Sequence, residues 1–410
     1  MKLLLKFSHF SICNFFLIIL LLRLNELFVS TLDLYIIQLF FIINALCGIV
    51  LIRGTIKNLM DLLVVIFIIY NILNGIIIDY PHHHFLFYKA FICELSAIFF
   101  YFIGRNVDWN INEILAKTKY PLLFAAFCGI CSFFMMPSWY LNMKSAMLED
   151  SSGYEGAVGE TFRLSSFWGH PYQLGYAIAI FSSYSIMNCF NNPNKKYYII
   201  LSTFLFLVLI LCQLRVCILF YILVFIYHFI INGKETFFIK ISLLSVVALL
   251  FIIILYYLLN FLSPDQLDYI ITHTDQLLES GAVDDRLEYT KMGLNNDIFD
   301  SFFGYGVGHF SQNARVFNIP ALVDCEYQKK LAELGFFGFS IFIMIIIGAI
   351  LKLSKEFKDN TCANSIVLFY VIASIGASCI SNVHQYPYMF WFALGCLFNS
   401  NNNLKQNNNE

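Results

Sequence analysis

Apolar residues in this chain fall in long unbroken runs, not in the alternation of half-buried strands. The runs lie at roughly 7–24, 33–52, 59–78, 86–104, 120–137, 171–190, 197–212, 216–232, 237–259, 332–351, 363–381 and 385–399. A hydrocarbon core about 30 Å thick takes about 20 consecutive apolar residues in a helix, with about 17 as a practical lower end. The pattern therefore predicts an all-α polytopic membrane protein with about twelve transmembrane helices. One helix over Tyr197–Asn232 would reach about 53 Å. Gln213 and Arg215 interrupt that stretch, so it divides into a tight hairpin. The first run follows Lys2 and Lys6 and lacks a small-residue cleavage site, so it reads as a span and not as a signal peptide.

Basic residues orient the spans, because Lys and Arg concentrate on the cytoplasmic side. With both termini cytoplasmic, the inner loops hold Lys2, Lys6, Arg53, Lys57, Arg105, Lys117, Lys119, Lys195, Lys196, Lys234 and the cluster Lys352, Lys355 and Lys358. Joining 197–232 into one span would carry the later clusters outward, against the rule. The expected organisation is five transmembrane helices in 1–137 and an outer loop plus helices six to nine in 138–259. An extracytoplasmic catalytic loop (260–331), helices ten to twelve (332–399) and a disordered, Asn-rich tail (400–410) follow. The loop between helices nine and ten carries eleven acidic residues against Arg286, Lys291, Arg315, Lys329 and Lys330. Its segment 282–299 has apolar residues at helical spacing, as an interfacial amphipathic helix would.

Composition sharpens the class. The 410 residues are 59% hydrophobic, 18% aromatic and 13% charged, with mean hydropathy +0.72. Soluble domains carry about 25% charged residues, so a water-soluble globule is excluded, and so is a disordered chain. A formal net charge of −2 provides no basic field for nucleic acid. The twelve cysteines sit mostly in or beside apolar runs and read as free thiols packing as small hydrophobes. His82, His83 and His84 read as solvated loop histidines, so neither a metal nor a cofactor is expected.

The candidate chemistry gathers on the outer side. Arg163 lies in Thr161–Tyr172, ahead of the sixth span, with His170 and Pro171 where that helix begins. Arg215 lies at the outer hairpin between spans seven and eight, and Arg286 opens the amphipathic segment. Gly304, Gly306 and Gly308 form a glycine-rich turn followed by His309, and Asp324–Gly335 leads into the tenth span. An outer arginine can simply snorkel to lipid headgroups, and a glycine run can be only a turn. An ionisable residue in a tight hairpin beside the membrane is nevertheless a functional signal. Guanidinium groups stay charged and match phosphate oxygens in bidentate fashion. Several converging on one membrane face suit a lipid-linked diphosphate whose polyprenyl tail lies between helices.

Four stretches resemble the O-antigen ligase and polysaccharide polymerase family of bacterial envelopes. They are Arg163-Leu-Ser-Ser-Phe-Trp-Gly-His-Pro171, Gln213-Leu-Arg215 with its following apolar run, Arg286 through Gly304-Tyr-Gly-Val-Gly308, and Glu326-Tyr through Gly335-Phe-Phe-Gly338. Their order and the large outer loop match as well, so the likeness covers about 160–340. In the ligases the last element usually begins with a histidine proposed as a base, whereas this chain has Asp324-Cys325-Glu326. That departure favours a repeat-unit polymerase over a ligase to lipid A-core.

The resemblance implies an inverting, metal-independent glycosyl transfer at the outer face of the bacterial cytoplasmic (inner) membrane. The substrate is an undecaprenyl-diphosphate-linked oligosaccharide, and membrane lipid, a chain-length regulator and a flippase are the expected partners. Arg163, Arg215 and Arg286 would hold the diphosphate leaving group. Glu326 is the first choice for the base, ahead of Asp324, His309 and His170. A lipid-linked oligosaccharide transporter or flippase is the alternative of another class. It would place charges or broken helices near the bilayer midplane, where Glu94 is the main exception to an otherwise apolar interior.

Overall fold

The computed structural model describes residues 2–26, 32–52, 54–78, 82–107, 111–135, 171–231, 302–311, 325–355, 361–377, 379–381 and 386–399, with the single positions 137, 138, 164, 166, 314, 317, 319 and 322. All regular structure among them is helical. The chain divides into two compact units, one of residues 1–122 and 286–410 and one of residues 123–285. The ninth apolar run, the expected amphipathic segment 282–299 and the tail 400–410 lie outside the described residues.

In the first unit, α1 (Lys2–Glu26), α2 (Leu32–Ile52) and α3 (Leu59–Ile77) occupy the first three apolar runs. The fourth is not one regular helix. It opens as α4 (His83–Ala90), passes through a π turn at Phe91–Leu95, and continues as α5 (Ser96–Ile98) and α6 (Phe100–Asn106). Next come α7 (Ile111–Met135), which runs across the boundary of the two units, and the second unit's α8 (Pro171–Asn191), α9 (Lys195–Cys212) and α10 (Arg215–Ile231). The first unit closes with α11 (Glu326–Lys355), α12 (Thr361–Gly376) and α13 (Pro387–Leu397). The hairpin expected at Gln213 is present: Gln213 turns left-handed at φ 56° and donates its backbone N–H to Ile210 O.

Four helices, α3, α7, α9 and α11, are long and apolar enough to cross a membrane. They turn bulky apolar side chains outward, among them Ile77, Phe127, Ile200 and Leu351. A lipid phase would cover such groups. Other apolar runs are apolar for a different reason. All eleven residues of α13 are buried, and eleven residues rise only about 16 Å, half the hydrocarbon thickness. This helix belongs to the interior of the first unit. It packs on α6 at close backbone range, because a Cβ at Gly104 would lie 2.2 Å from Phe392 O and one at Gly395 would lie 2.1 Å from Tyr101 O. Small residues permit that approach.

The start of α3 shows how the chain secures a helix end. Asn58 and Asp61 form a capping box, with Asp61 N–H donating to Asn58 Oδ1 at 2.8 Å and Asn58 N–H donating to Asp61 Oδ2 at 3.1 Å. Asp61 is also the anion of a buried pair. Arg105 Nε donates to its Oδ1 at 2.9 Å and Tyr101 Oη to the same oxygen at 2.6 Å. One carboxylate thereby caps α3 and fixes α6 against it.

Cys128 and Cys131 stand at C-x-x-C spacing on α7, a spacing that the reading of the cysteines as packing residues overlooks. Both are free, half-buried thiols. Among the described residues no group of His, Cys, Asp and Glu is arranged to hold a metal ion.

Candidate functional site

The glycine turn and the lead-in to α11 are one structure. Gly304, Gly306 and Gly308 all have positive φ, and Gly335, inside α11, has φ 64° and ψ −174°. That last conformation breaks α11 into a short N-terminal helix and a long apolar one. The turn docks into the break: Tyr305 N–H donates to Ala332 O and Gly306 N–H to Glu333 O, both at 2.9 Å. The contact is tight enough that a Cβ on Gly304 would lie 2.3 Å from Gly335 N. Helix α3 grips the same turn from another side. Asn74 Nδ2 donates to Phe303 O at 2.7 Å, Asn74 Oδ1 accepts from Val307 N–H at 3.1 Å, and Tyr70 Oη donates to Leu334 O at 2.6 Å.

Beneath the turn lies a buried ionic network. Lys329 Nζ donates to Glu94 Oε1 at 2.6 Å and to Ser381 Oγ at 2.8 Å, and Lys330 Nζ donates to Glu94 Oε2 at 3.0 Å. Glu326 Oε2 accepts from Ile380 N–H, Ser381 N–H and Ser381 Oγ at 3.1, 3.2 and 3.1 Å. Glu333 Oε1 accepts the Phe310 amide at 3.2 Å, which ties the network to the turn above it. The π turn carries Glu94, and the other four charged groups come from the N-terminal part of α11.

In the second unit the described parts of the other two stretches lie close to the α9–α10 break. Leu164 N–H, next to Arg163 in sequence, donates to Leu211 O at the end of α9 at 3.0 Å. A Cβ on Gly175 of α8 would lie 2.2 Å from the Leu214 side chain. Arg215 is exposed and is the first residue of α10. A helix N-terminus carries partial positive charge, so Arg215 adds its cation where the helix end already favours an anion.

The sequence-predicted residues are thus placed as follows. Gly304, Gly306, Gly308, His309 and Glu326 share the site in the first unit. Arg215 and Pro171, the first residue of α8, belong to the second. Arg163, Arg286, Asp324 and His170 lie outside the described residues. Glu326 is 0% exposed and its Oε2 is committed to the 380–381 backbone. In this arrangement it anchors a loop and offers no surface to a sugar hydroxyl. His309 stacks on Tyr305 with ring centroids 5.5 Å apart and meets Phe310 edge-on at 4.7 Å.

Burial lowers the imidazole of His309 to about 4, and neighbouring His83 pushes the same way. It is neutral at pH 7, able to accept a proton but weakly basic. A histidine whose folded value is depressed binds fewer protons than the unfolded chain between the two values. Its contribution to stability is complete above about 6.5 and declines as pH falls toward about 4. Thermal unfolding of the purified protein across that range should show the decline, and His309→Gln should flatten it. An unchanged slope in the variant would remove His309 as its source.

Sequence reasoning missed Lys329, Lys330 and Glu333 as a site, and a signal was present. Two adjacent lysines in a segment expected on the outer side run against the positive-inside tendency. Glu326 and Glu333 stand four residues from Lys330 and Lys329, a spacing that brings side chains together on a helix. Against known proteins, neither a protein-family model nor a curated sequence matches this chain.

Proposed function

We propose that this chain polymerises undecaprenyl-diphosphate-linked repeat units into O-antigen, capsular or exopolysaccharide, at the outer face of a bacterial cytoplasmic membrane. In this reading its membrane-spanning helices place the long loops on that face, and it acts by inverting, metal-independent glycosyl transfer. The observation that supports the reading is spatial. Described parts of the stretches that resemble the polymerase and ligase family come together: the glycine turn docks on the α11 lead-in, and Leu164 bonds to Leu211, two residues before Gln213. Residues 27 and 47 positions apart, Gly306 with Glu333 and Leu164 with Leu211, have no reason to meet if each stretch is only a local turn.

The diphosphate is already a good leaving group, so the main catalytic task is to stabilise the charge growing on it. Fixed cations in a site that excludes water do this. Arg215, beside the α10 N-terminus, is the described residue best suited to that task, with Arg163 and Arg286 as its expected companions. A proton acceptor for the attacking hydroxyl typically contributes about 10²–10⁴-fold, and His309 is the accessible candidate. Transfer to lipid A-core is the alternative within the family, and Asp324-Cys325-Glu326, in place of the histidine-led element, speaks against it.

A second reading has one specific observation in its favour. Buried Glu94, Lys329 and Lys330 sit where two helices are broken, at the π turn and at Gly335, as in transporters whose ion sites lie at discontinuous helices. A lipid-linked oligosaccharide flippase would use such a site.

Purified protein in nanodiscs, given a synthetic undecaprenyl-diphosphate repeat unit, separates the readings. The expected result is a polymer ladder from the repeat unit alone. A single transfer that needs lipid A-core would instead mean a ligase, and no product with glycolipid crossing vesicles would mean transport. In cells, Arg215→Ala should abolish polymer, a loss of at least about 10²-fold for a transition-state cation, while lipid-linked single repeats accumulate. A ladder of normal length from that variant refutes the assignment of Arg215.

A further inference from the structure

The buried network does not balance its own charge. Glu94, Glu326 and Glu333 bring three carboxyl groups to two ammonium groups, Lys329 and Lys330, and all five side chains are nearly or fully buried. Isolated charge in a dry interior is expensive, and such groups are paired or neutralised. One positive charge is wanting. Among the described residues, the elements around the network contribute no further charged group. Ser381 and Cys379 come from the 379–381 segment, Asn71 and Tyr70 from α3, Trp391 from α13, Tyr327 from α11 itself, and Tyr305 and His309 from the glycine turn.

The hydrogen bonds indicate which carboxyl group is least supported as an anion. Both oxygens of Glu94 receive an ammonium group within 3.0 Å. Glu326 Oε1 has no hydrogen-bond partner and stands 3.8 Å from Lys330 Nζ, but its Oε2 receives three donors. Glu333 receives one backbone amide, the ammonium groups stand 3.8 and 3.9 Å away, and its buried Oε2 has no hydrogen-bond partner. Two further unpartnered polar atoms, Asn71 Oδ1 and Trp391 Nε1, belong to residues lining a cavity of about 10 Å³ beside Glu94 and Lys330. That is room for about one water. A metal cation at Glu333 would have to sit against two ammonium groups, and a proton would not.

We propose that Glu333 is a proton-binding site: it takes up one exchangeable proton that completes the charge of the network, while Glu94 and Glu326 stay ionised. The step is the protonation of a carboxylate by solvent. Glu333 also holds the Phe310 amide and, through its carbonyl, the Gly306 amide. Loading and unloading the proton therefore acts on the seat of the glycine turn, two residues before the Gly335 break. The inference stands apart from the glycan reading, and its test needs no substrate.

The full chain in nanodiscs is examined by infrared difference spectroscopy in the region of the protonated carboxyl C=O stretch. At neutral pH one such band per chain is expected, shifting when H2O is replaced by D2O. Glu333→Gln should remove it. Glu94→Gln should also remove it, since two carboxylates then face two ammonium groups, and Lys330→Met should double it. If these variants do not fold, the wild-type spectrum still decides, because the absence of any protonated-carboxyl band at neutral pH overturns the proposal. A band that survives Glu333→Gln overturns it too, as does a wild-type band that disappears when sodium replaces potassium in the buffer.

Discussion

Asp61→Ala is expected to be the most destabilising single substitution in the described part of the first unit, at about 3–5 kcal/mol. The carboxylate is wholly buried and accepts from Lys57 N–H, Asn58 N–H, Tyr101 Oη and Arg105. Its removal strands the guanidinium of Arg105 in the interior with no anion and opens the α3 cap, which alone contributes about 1 kcal/mol. Most of the loss is the penalty of an unpaired buried charge and not the worth of the pair. The double variant Asp61→Ala/Arg105→Leu should therefore be more stable than the single one, and Asp61→Asn should fall between wild type and Asp61→Ala. Thermal unfolding in detergent measures all four proteins. A double variant no more stable than Asp61→Ala would show that the charge is not the cause.

Gly335→Ala has the largest expected effect on the site itself. Its φ of 64° with ψ of −174° belongs to a region that side-chain-bearing residues avoid. The new methyl group would also lie 2.4 Å from Gly304 N and 2.5 Å from Phe302 O. Backbone strain of about 1–3 kcal/mol and overpacking of a similar size together give about 3 kcal/mol, or about 100-fold in the equilibrium that seats the turn. Hydrogen exchange at the Tyr305 and Gly306 amides should accelerate by about that factor, while amides in the middle of α9, in the other unit, stay protected. If the function proposed above is right, polymer is lost as well. Unchanged exchange at those two amides would mean that the turn holds its place without Gly335.

Much of the helical layout is legible from apolar runs alone, because helical segments in or near a membrane must be continuous and apolar. The break at Gln213 is also legible, since two polar residues interrupt an otherwise unbroken run. What the runs do not distinguish is a helix that faces lipid from one that faces only protein. Pro387–Leu397 is apolar because it is enclosed on all sides, and a hydropathy window reads it as it reads Leu59–Ile77. The π turn at Phe91–Leu95 carries no sequence signature. Within it, Glu94 meets two lysines that lie more than two hundred residues later, partners that no local pattern reveals. The candidate site was half legible for a similar reason. The glycines and Arg215 announce themselves by type, whereas Glu333 matters through what surrounds it, and those neighbours come from four separate parts of the chain.

The π turn also constrains the chain in a way that no single substitution would reveal. Glu94 lies within it and Arg105 beyond it, and each belongs to a different buried charge network. In a helix, losing or gaining one residue turns everything beyond it by about 100°. A one-residue deletion between Glu94 and Arg105 would thus carry one network out of phase with the other while leaving every side chain of both intact. The number of residues between the two charges is therefore a structural constraint in its own right, separate from the close approach at Gly104 and the hydrogen bond from Tyr101.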